Sequence, residues 1–189
     1  MNDGDLGMAA TQDEFFMRVA LDEARRALEE DEVPVGAIVV RGVEILARDH
    51  NRVRERCSAT AHGEMLVLDA AAKVLGDWRL HECTLYTTKE PCPMCAGACI
   101  MSRIGRVVFA VSDPLMGCFG GSTCNFSAMG GFNHHPAVSS GILADECLEI
   151  LRYFFMGKRA LHRRQKAEMY AQNCPCDSCS ERLNPLLPE

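Results

Sequence analysis

The chain has 189 residues, of which 48% are hydrophobic and 24% charged, with a net charge of −6, a balance that suits one globular domain with a sizeable core. No apolar run approaches the roughly 20 residues needed to span a bilayer. The acidic, glycine-containing start lacks the basic and apolar regions of a signal peptide, so a cytoplasmic protein without a membrane partner is expected. The acidic balance argues against a uniformly basic nucleic-acid binder but leaves room for a local basic patch.

Eleven cysteines raise the question of disulfides. The number is odd and no export signal precedes them, so most are expected to be reduced thiols packed as small apolar residues.

Residues 1–12 read as a flexible tail. Thr11 and Glu14 have the spacing of a capping box. Phe16, Val19, Ala20, Ala24 and Ala27 then recur at helical spacing, which predicts an amphipathic helix over 13–30. The β-branched run 35–40, the turn Arg41-Gly42 and the run 43–47 predict a β-hairpin. Residues 62–75 read as a helix stopped by Gly76. Residues 83–88 read as a strand. A small-residue helix over 92–104 follows, with prolines where a first turn tolerates them. Residues 106–111 form an apolar strand. This alternation predicts an α/β fold whose sheet is covered by helices on both faces.

Residues 115–140 break the pattern. They hold several glycines, no clear period and the pair His134-His135, as in a functional loop or a poorly ordered one. A long helix is predicted over 144–170, apolar first and basic later. Its basic run is Lys158, Arg159, Arg163, Arg164 and Lys166: a solvated helix face, or a strip that attracts phosphates. Residues 172–189 read as an irregular tail. No repeat and no second domain is evident, which places one domain at 13–171.

The chemistry concentrates at His62-Gly63-Glu64 and Pro91-Cys92-Pro93-Met94-Cys95. One histidine and two cysteines supply three bonds to zinc and leave a fourth tetrahedral position for water, the pattern of a catalytic site. Cys92 and Cys95, at i and i+3, share one face of a helical turn, where the positive end of the dipole favours thiolates. Two helix N-termini would meet at one edge of the sheet, where open α/β sheets bind ligands. Glu64 is placed to move the protons of the water. The alternative is a closed structural site completed by Cys57 or Cys99. In the tail, Cys174, Cys176 and Cys179 are either free thiols or an incomplete second metal site.

These two motifs have the H-x-E…P-C-x-x-C form of zinc nucleobase deaminases. Their flanks extend the likeness: Glu32-Val33-Pro34-Val35-Gly36-Ala37, His50-Asn51-Arg52, Thr84-Leu85-Tyr86, residues 102–109, residues 141–147 and Phe154-Phe155. Over about 15–164 the chain resembles the bacterial tRNA-specific adenosine deaminases. The resemblance implies a three-layer α/β/α cytidine-deaminase-like fold with a central mixed sheet. It implies one zinc per chain, a homodimer, a tRNA anticodon stem-loop as partner, and conversion of the wobble adenosine to inosine.

Residue by residue, His62, Cys92 and Cys95 match the zinc ligands and Glu64 the proton shuttle. Asn51 matches the residue that holds the flipped nucleoside, and Val33, Pro34 and Val35 a wall of the base pocket. Asp113 matches an acid near the sugar, and Phe154 and Phe155 an aromatic pair near the substrate. Gly63 lies within the substrate site, where the family usually has alanine. Lys158, Arg159, Arg163 and Arg164 are candidates for RNA-backbone contact. Without the resemblance, Asn51 reads as a turn or cap residue, Phe154 and Phe155 as core, and Asp113 as the start of a turn before Pro114. Ser58-Ala59, residues 116–136 and the cysteine-containing tail depart from the family pattern. Two other functions fit the motifs: a deaminase of a free base, nucleoside or nucleotide of guanine or cytosine type, and a non-catalytic zinc module that binds RNA or a partner.

Overall fold

The computed structural model describes residues 3–122 and 124–173. The elements in order are α1 (Asp3–Glu29), β1 (Gly36–Arg41), β2 (Glu44–His50), α2 (Gly63–Leu75), β3 (Cys83–Lys89), α3 (Pro93–Met101), β4 (Arg106–Val111), β5 (Ala137–Ser140) and α4 (Ala144–Asn173). The chain divides after Leu151 into two compact units, residues 1–151 and 152–189.

The first unit is built on a five-stranded sheet of order β2-β1-β3-β4-β5. β1 runs antiparallel to β2 and β3, whereas β3, β4 and β5 are parallel, so the sheet is mixed as expected. Side chains alternate across it, because successive residues of a strand point to opposite faces. Val39, Leu85, Val107 and Phe109 pack on one face with Val67 of α2 and Ala96 of α3. Ile38, Val40, Tyr86 and Val108 pack on the other with Phe16, Met17 and Ala20 of α1. The two buried faces explain why these strands read as continuous apolar runs rather than alternating ones.

α1 approaches the sheet closely at Gly36. A Cβ built there would lie 2.0 Å from the Ala20 carbonyl oxygen and 2.5 Å from the Ala24 nitrogen. Only a residue without a side chain lets the helix backbone sit against the first residue of β1. The Gly36 N–H donates to Thr88 Oγ1 at 3.1 Å, which ties the start of β1 to the end of β3.

Several elements differ from the sequence reading, including β2, which runs to His50 rather than residue 47. α1 begins at Asp3 rather than residue 13, so Thr11 lies within the helix rather than at its start. Met8, Ala9 and Ala10 are good helix formers and carry the helix back through that point. α3 ends at Met101 rather than residue 104. Arg103 adopts φ 58, and Ile104 N–H returns to the Cys99 carbonyl at 3.1 Å, a left-handed close that turns the chain into β4. A fifth strand, Ala137–Ser140, lies within the stretch read as irregular. It is four residues long and pairs with β4, too short for a period to show.

The second unit contains the remainder of α4, most of whose described side chains are exposed. The tail cysteines Cys174, Cys176 and Cys179 lie outside the described residues.

Candidate active site

The ends of β1 and β3, together with the N-termini of α2 and α3, build the site. His62 is the N-cap of α2 and Cys92 the N-cap of α3, and neither makes a side-chain capping bond. Both side chains therefore keep their polar atoms for another partner. His62 Nδ1 lies 3.7 Å from Cys92 Sγ and 3.5 Å from Cys95 Sγ. All three ligand atoms fall within 4.8 Å of one another. A tetrahedral zinc with ordinary bond lengths would separate a sulfur from a nitrogen by about 3.6 Å. The residues thus fit the ion in donor type, number and spacing.

Neither cysteine suggested for a closed site joins this group. Cys57 is exposed and its Sγ donates to the Arg54 carbonyl at 3.6 Å, and Cys99 is buried in the core. Among the described residues the site has three protein ligands. The eight described cysteines are all free thiols, and Cys83, Cys99, Cys118 and Cys147 are buried as small apolar residues.

The electrostatics suit a cation. The Cys95 thiol donates to the Cys92 sulfur, and His62 adds a second bond; together they hold the Cys92 thiol down at about 3 despite burial. The same bond and burial push the Cys95 thiol upward. The Cys92 sulfur raises His62. Glu64, in the first turn of α2, is 3% exposed, and burial pushes its carboxyl above the usual range. A group so placed takes up a proton readily.

Asn51 follows β2 and is buried. Its N–H donates to the Val35 carbonyl at 2.9 Å, and the next residue, Arg52, donates to the Ala61 carbonyl at 2.9 Å. These bonds bring Asn51 and the Val33-Pro34-Val35 segment alongside the chain that enters His62. Gly63 packs against the same strand end: a Cβ there would lie 3.2 Å from His50 Cα and 3.3 Å from the Val35 oxygen. An alanine at this position would be a tight fit.

Asp113 does two things. Its Oδ1 accepts from Leu115 N–H at 2.9 Å and Met116 N–H at 3.2 Å, starting the turn that Pro114 suggested. Its Oδ2 accepts from Lys89 Nζ at the end of β3. Burial works against its charge, but Lys89 and the turn N–H groups outweigh it and hold its carboxyl below the usual range. In the second unit Phe154 and Phe155 meet edge to face, with centroids 5.4 Å apart. Lys158 Nζ sits 5.2 Å from the Phe154 centroid, and Arg164 pairs with Glu168 at 3.0 Å. Arg159 and Arg163 are exposed.

Glu90 and Glu32, two of the buried acids, have no role in the sequence reading. Glu90, 2% exposed, accepts from the N–H groups of Asp113, Phe119 and Gly121 at 2.8 to 2.9 Å. It thereby holds the segment 113–121 against the turn that carries Cys92. Glu32, 1% exposed, accepts from Asn51 Nδ2 at 3.0 Å and from the N–H groups of Arg54 and Glu55 at 2.7 and 2.8 Å. The one sequence signal was an acid beside each site motif, which is equally common at a surface.

The chain was compared with known proteins. The cytidine and deoxycytidylate deaminase zinc-binding region matches residues 10–111. A tRNA-specific adenosine deaminase of Bacillus subtilis (strain 168) is 48% identical over 157 residues, 83% of this chain and 95% of that relative. A solved structure from studies of A-to-I editing by tRNA:A34 deaminases aligns with a TM-score of 0.70 and 43% identity, covering 72% of this chain and 99% of that one. A guanine deaminase from Nitrosomonas europaea aligns with a TM-score of 0.65 and 28% identity, covering 75% and 83% respectively. The zinc-fitting triad, the buried glutamate beside it and the mixed α/β/α sheet agree with these relationships: the chain belongs to the zinc-binding cytidine and deoxycytidylate deaminase family, as a zinc-dependent hydrolase of its tRNA-specific adenosine deaminase branch.

Proposed function

We propose that this protein hydrolyses the exocyclic amine of the wobble adenosine in a tRNA anticodon, leaving inosine and releasing ammonia. The observation that carries this reading is the pairing of the His62, Cys92 and Cys95 triad with a buried Glu64 two residues along, in a chain 48% identical to a tRNA-specific adenosine deaminase over 95% of that relative. His62, Cys92 and Cys95 would hold zinc, which when bound supplies a Lewis acid that makes water nucleophilic near neutral pH.

The chain's own residues do the rest. Glu64 takes a proton from the attacking water and delivers it to the ring nitrogen. It then takes the remaining proton from the added hydroxyl and passes it to the amine, so that the C–N bond breaks with ammonia as the leaving group and the oxygen stays as the carbonyl of inosine. Its burial favours the protonated form and so makes it a competent acid for the second transfer. Asn51 holds the base, the Val33-Pro34-Val35 segment walls it, and Gly63 keeps the floor open. Asp113, positioned by Lys89, faces the sugar side. Phe155, backed by the buried Phe154, contacts the RNA with Lys158, Arg159, Arg163 and Arg164. An anticodon loop is single-stranded, so extruding its base costs little unpairing energy. Self-association as a homodimer belongs to the same reading. No described helix is long and apolar enough to cross a membrane.

One finding favours a second reading. The likeness to a guanine deaminase at 28% identity keeps a free-base substrate in view. Incubation of the zinc-loaded chain with an adenosine-wobble anticodon stem-loop, and separately with guanine and cytosine, decides between them. Inosine in the stem-loop with no ammonia from free bases is the expected result. Ammonia from free bases alone would replace the first reading with the second.

A further inference from the structure

Among the described residues the side-chain partner of Glu32 is Asn51, and Glu32 is not one of the residues grouped around the metal position. It sits just past α1, with its own N–H bonded to the Ala27 carbonyl at 2.8 Å, and is almost completely enclosed. A buried carboxylate is costly unless it is well hydrogen-bonded. Here the two oxygens divide the work. Oε1 accepts both backbone bonds, from Arg54 at 2.7 Å and Glu55 at 2.8 Å, whereas Oε2 accepts only from Asn51 Nδ2, at 3.0 Å.

That division sets the Asn51 amide. With Nδ2 against a carboxylate, the reverse rotamer would press Asn51 Oδ1 against Glu32 Oε2, two acceptors with no proton between them. The amide is therefore locked, with one N–H spent on Glu32. What remains is a second N–H and a carbonyl oxygen that, among the described residues, accepts no bond and is not a buried unsatisfied atom. An adjacent donor and acceptor in one plane is the arrangement by which asparagine reads the edge of a purine.

We propose that Glu32 is a positioning residue for substrate selection: its carboxylate fixes which end of the Asn51 amide donates and which accepts, and so selects the edge of the base that the site takes. The inference rests on the reading of Asn51 as a substrate contact. It assigns Glu32 no proton transfer and no metal bond.

The substitution Glu32→Gln separates this role from a structural one. The two backbone N–H groups require an oxygen at the Oε1 position, so the new NH₂ group falls at the Oε2 position and faces Asn51. Two donors then oppose each other, and relief comes from turning the Asn51 amide over. The turn 54–55 stays bonded while the pattern offered to the base is reversed. The zinc-loaded full chain would be assayed on the adenosine-wobble stem-loop as wild type, E32Q, N51A and the double variant, with zinc content and thermal midpoint measured for each. E32Q should keep its zinc and midpoint and lose kcat/KM on the order of tenfold to a hundredfold, comparable with one lost base-edge contact. Added to N51A, it should change kcat/KM less than about twofold, because both act through one group. Wild-type kcat/KM in E32Q, or the same loss in both backgrounds, would overturn the proposal. Undiminished kcat/KM in N51A would remove Asn51 from the site and the proposal with it.

A measurement on the wild type guards against a variant that fails to fold. The Asn51 side-chain amide, assigned by its loss in the N51A spectrum or by selective labelling, should show one proton exchanging slowly and the other fast. Two protons exchanging at solvent rates would overturn the proposal. A wild type inert on the stem-loop would count against the wobble-adenosine reading alone, since the amide measurement needs no substrate.

Discussion

The Arg106 guanidinium grips the Asp13 carboxylate at two points, 2.8 Å to Oδ1 and 2.7 Å to Oδ2, across 93 residues of sequence. Tyr86 adds its hydroxyl to Oδ1 at 2.8 Å, so one acid joins α1, β3 and β4. Burial opposes the charge on Asp13, but Arg106 and Tyr86 outweigh it and hold its carboxyl below the usual range. A folded-state value below the unfolded one contributes stability that is complete above the unfolded value, about 3.9, and is lost as pH falls through the folded value. Asp13→Asn should cost about 2 kcal/mol at pH 7 and less in acid. Urea midpoints at pH 7 and pH 3 check this; an equal cost at both would leave the ion pair without the assigned role.

Glu64→Gln keeps the shape of the side chain and removes its capacity to shuttle protons. Zinc content should stay at one per chain, while kcat falls by about 10²–10⁴. Metal analysis beside an ammonia-release assay measures both. Turnover at the wild-type rate would take Glu64 out of the chemistry.

Metal removal should act on activity before fold. The first unit has a core on each face of its sheet, independent of the triad. Dialysis against a chelator is expected to abolish deamination and leave far-ultraviolet circular dichroism near its starting value. Zinc should restore activity, whereas Cys92→Ser should resist restoration. A global loss of helix on chelation would recast the ion as structural.

Two glycines near the site should respond differently to alanine. At Gly36 the added methyl meets helix backbone at 2.0 and 2.5 Å, so Gly36→Ala should destabilise by about 3 kcal/mol through overpacking of β1 against α1. At Gly63 the nearest atoms are at 3.2 Å, and a helix start gains from alanine, so the net change should stay within about 1 kcal/mol. Thermal midpoints rank the two, and the reverse order would refute the packing argument.

Arg159 and Arg163 are exposed on the distal half of α4. If they contact phosphates, Arg159→Ala with Arg163→Ala should raise KM for the stem-loop several-fold. The pair should also lower the slope of log KM against log salt by about 1–2, in line with counterion release. An unchanged salt slope would assign them to the solvated helix face.

Much of the site was legible because its signals are local. Cys92 and Cys95 share a helical turn, His62 and Glu64 are two residues apart, and Pro93 and Gly76 mark a helix start and stop that the structure reproduces at α3 and α2. Their chemistry follows from residue type and spacing, with no knowledge of what surrounds them. The strands were legible for a related reason: Val39, Leu85 and Val107 lie in runs buried on both faces, and such runs are apolar throughout.

What the sequence could not decide depends on contacts between distant segments. Nothing local marks Glu32 or Glu90 as enclosed, because their partners lie 19 to 31 residues away in loops with no period of their own. The same holds for β5, whose four residues become a strand only by pairing with β4, and for Gly36, whose necessity appears only once α1 lies across it. The sequence by itself determined the metal-binding chemistry and the class of fold, since residue type and periodicity carry both. The tertiary structure alone decided which acids are buried, which way the Asn51 amide faces and how the loops flanking the metal site are held, because burial and hydrogen-bond geometry arise only when remote parts of the chain meet.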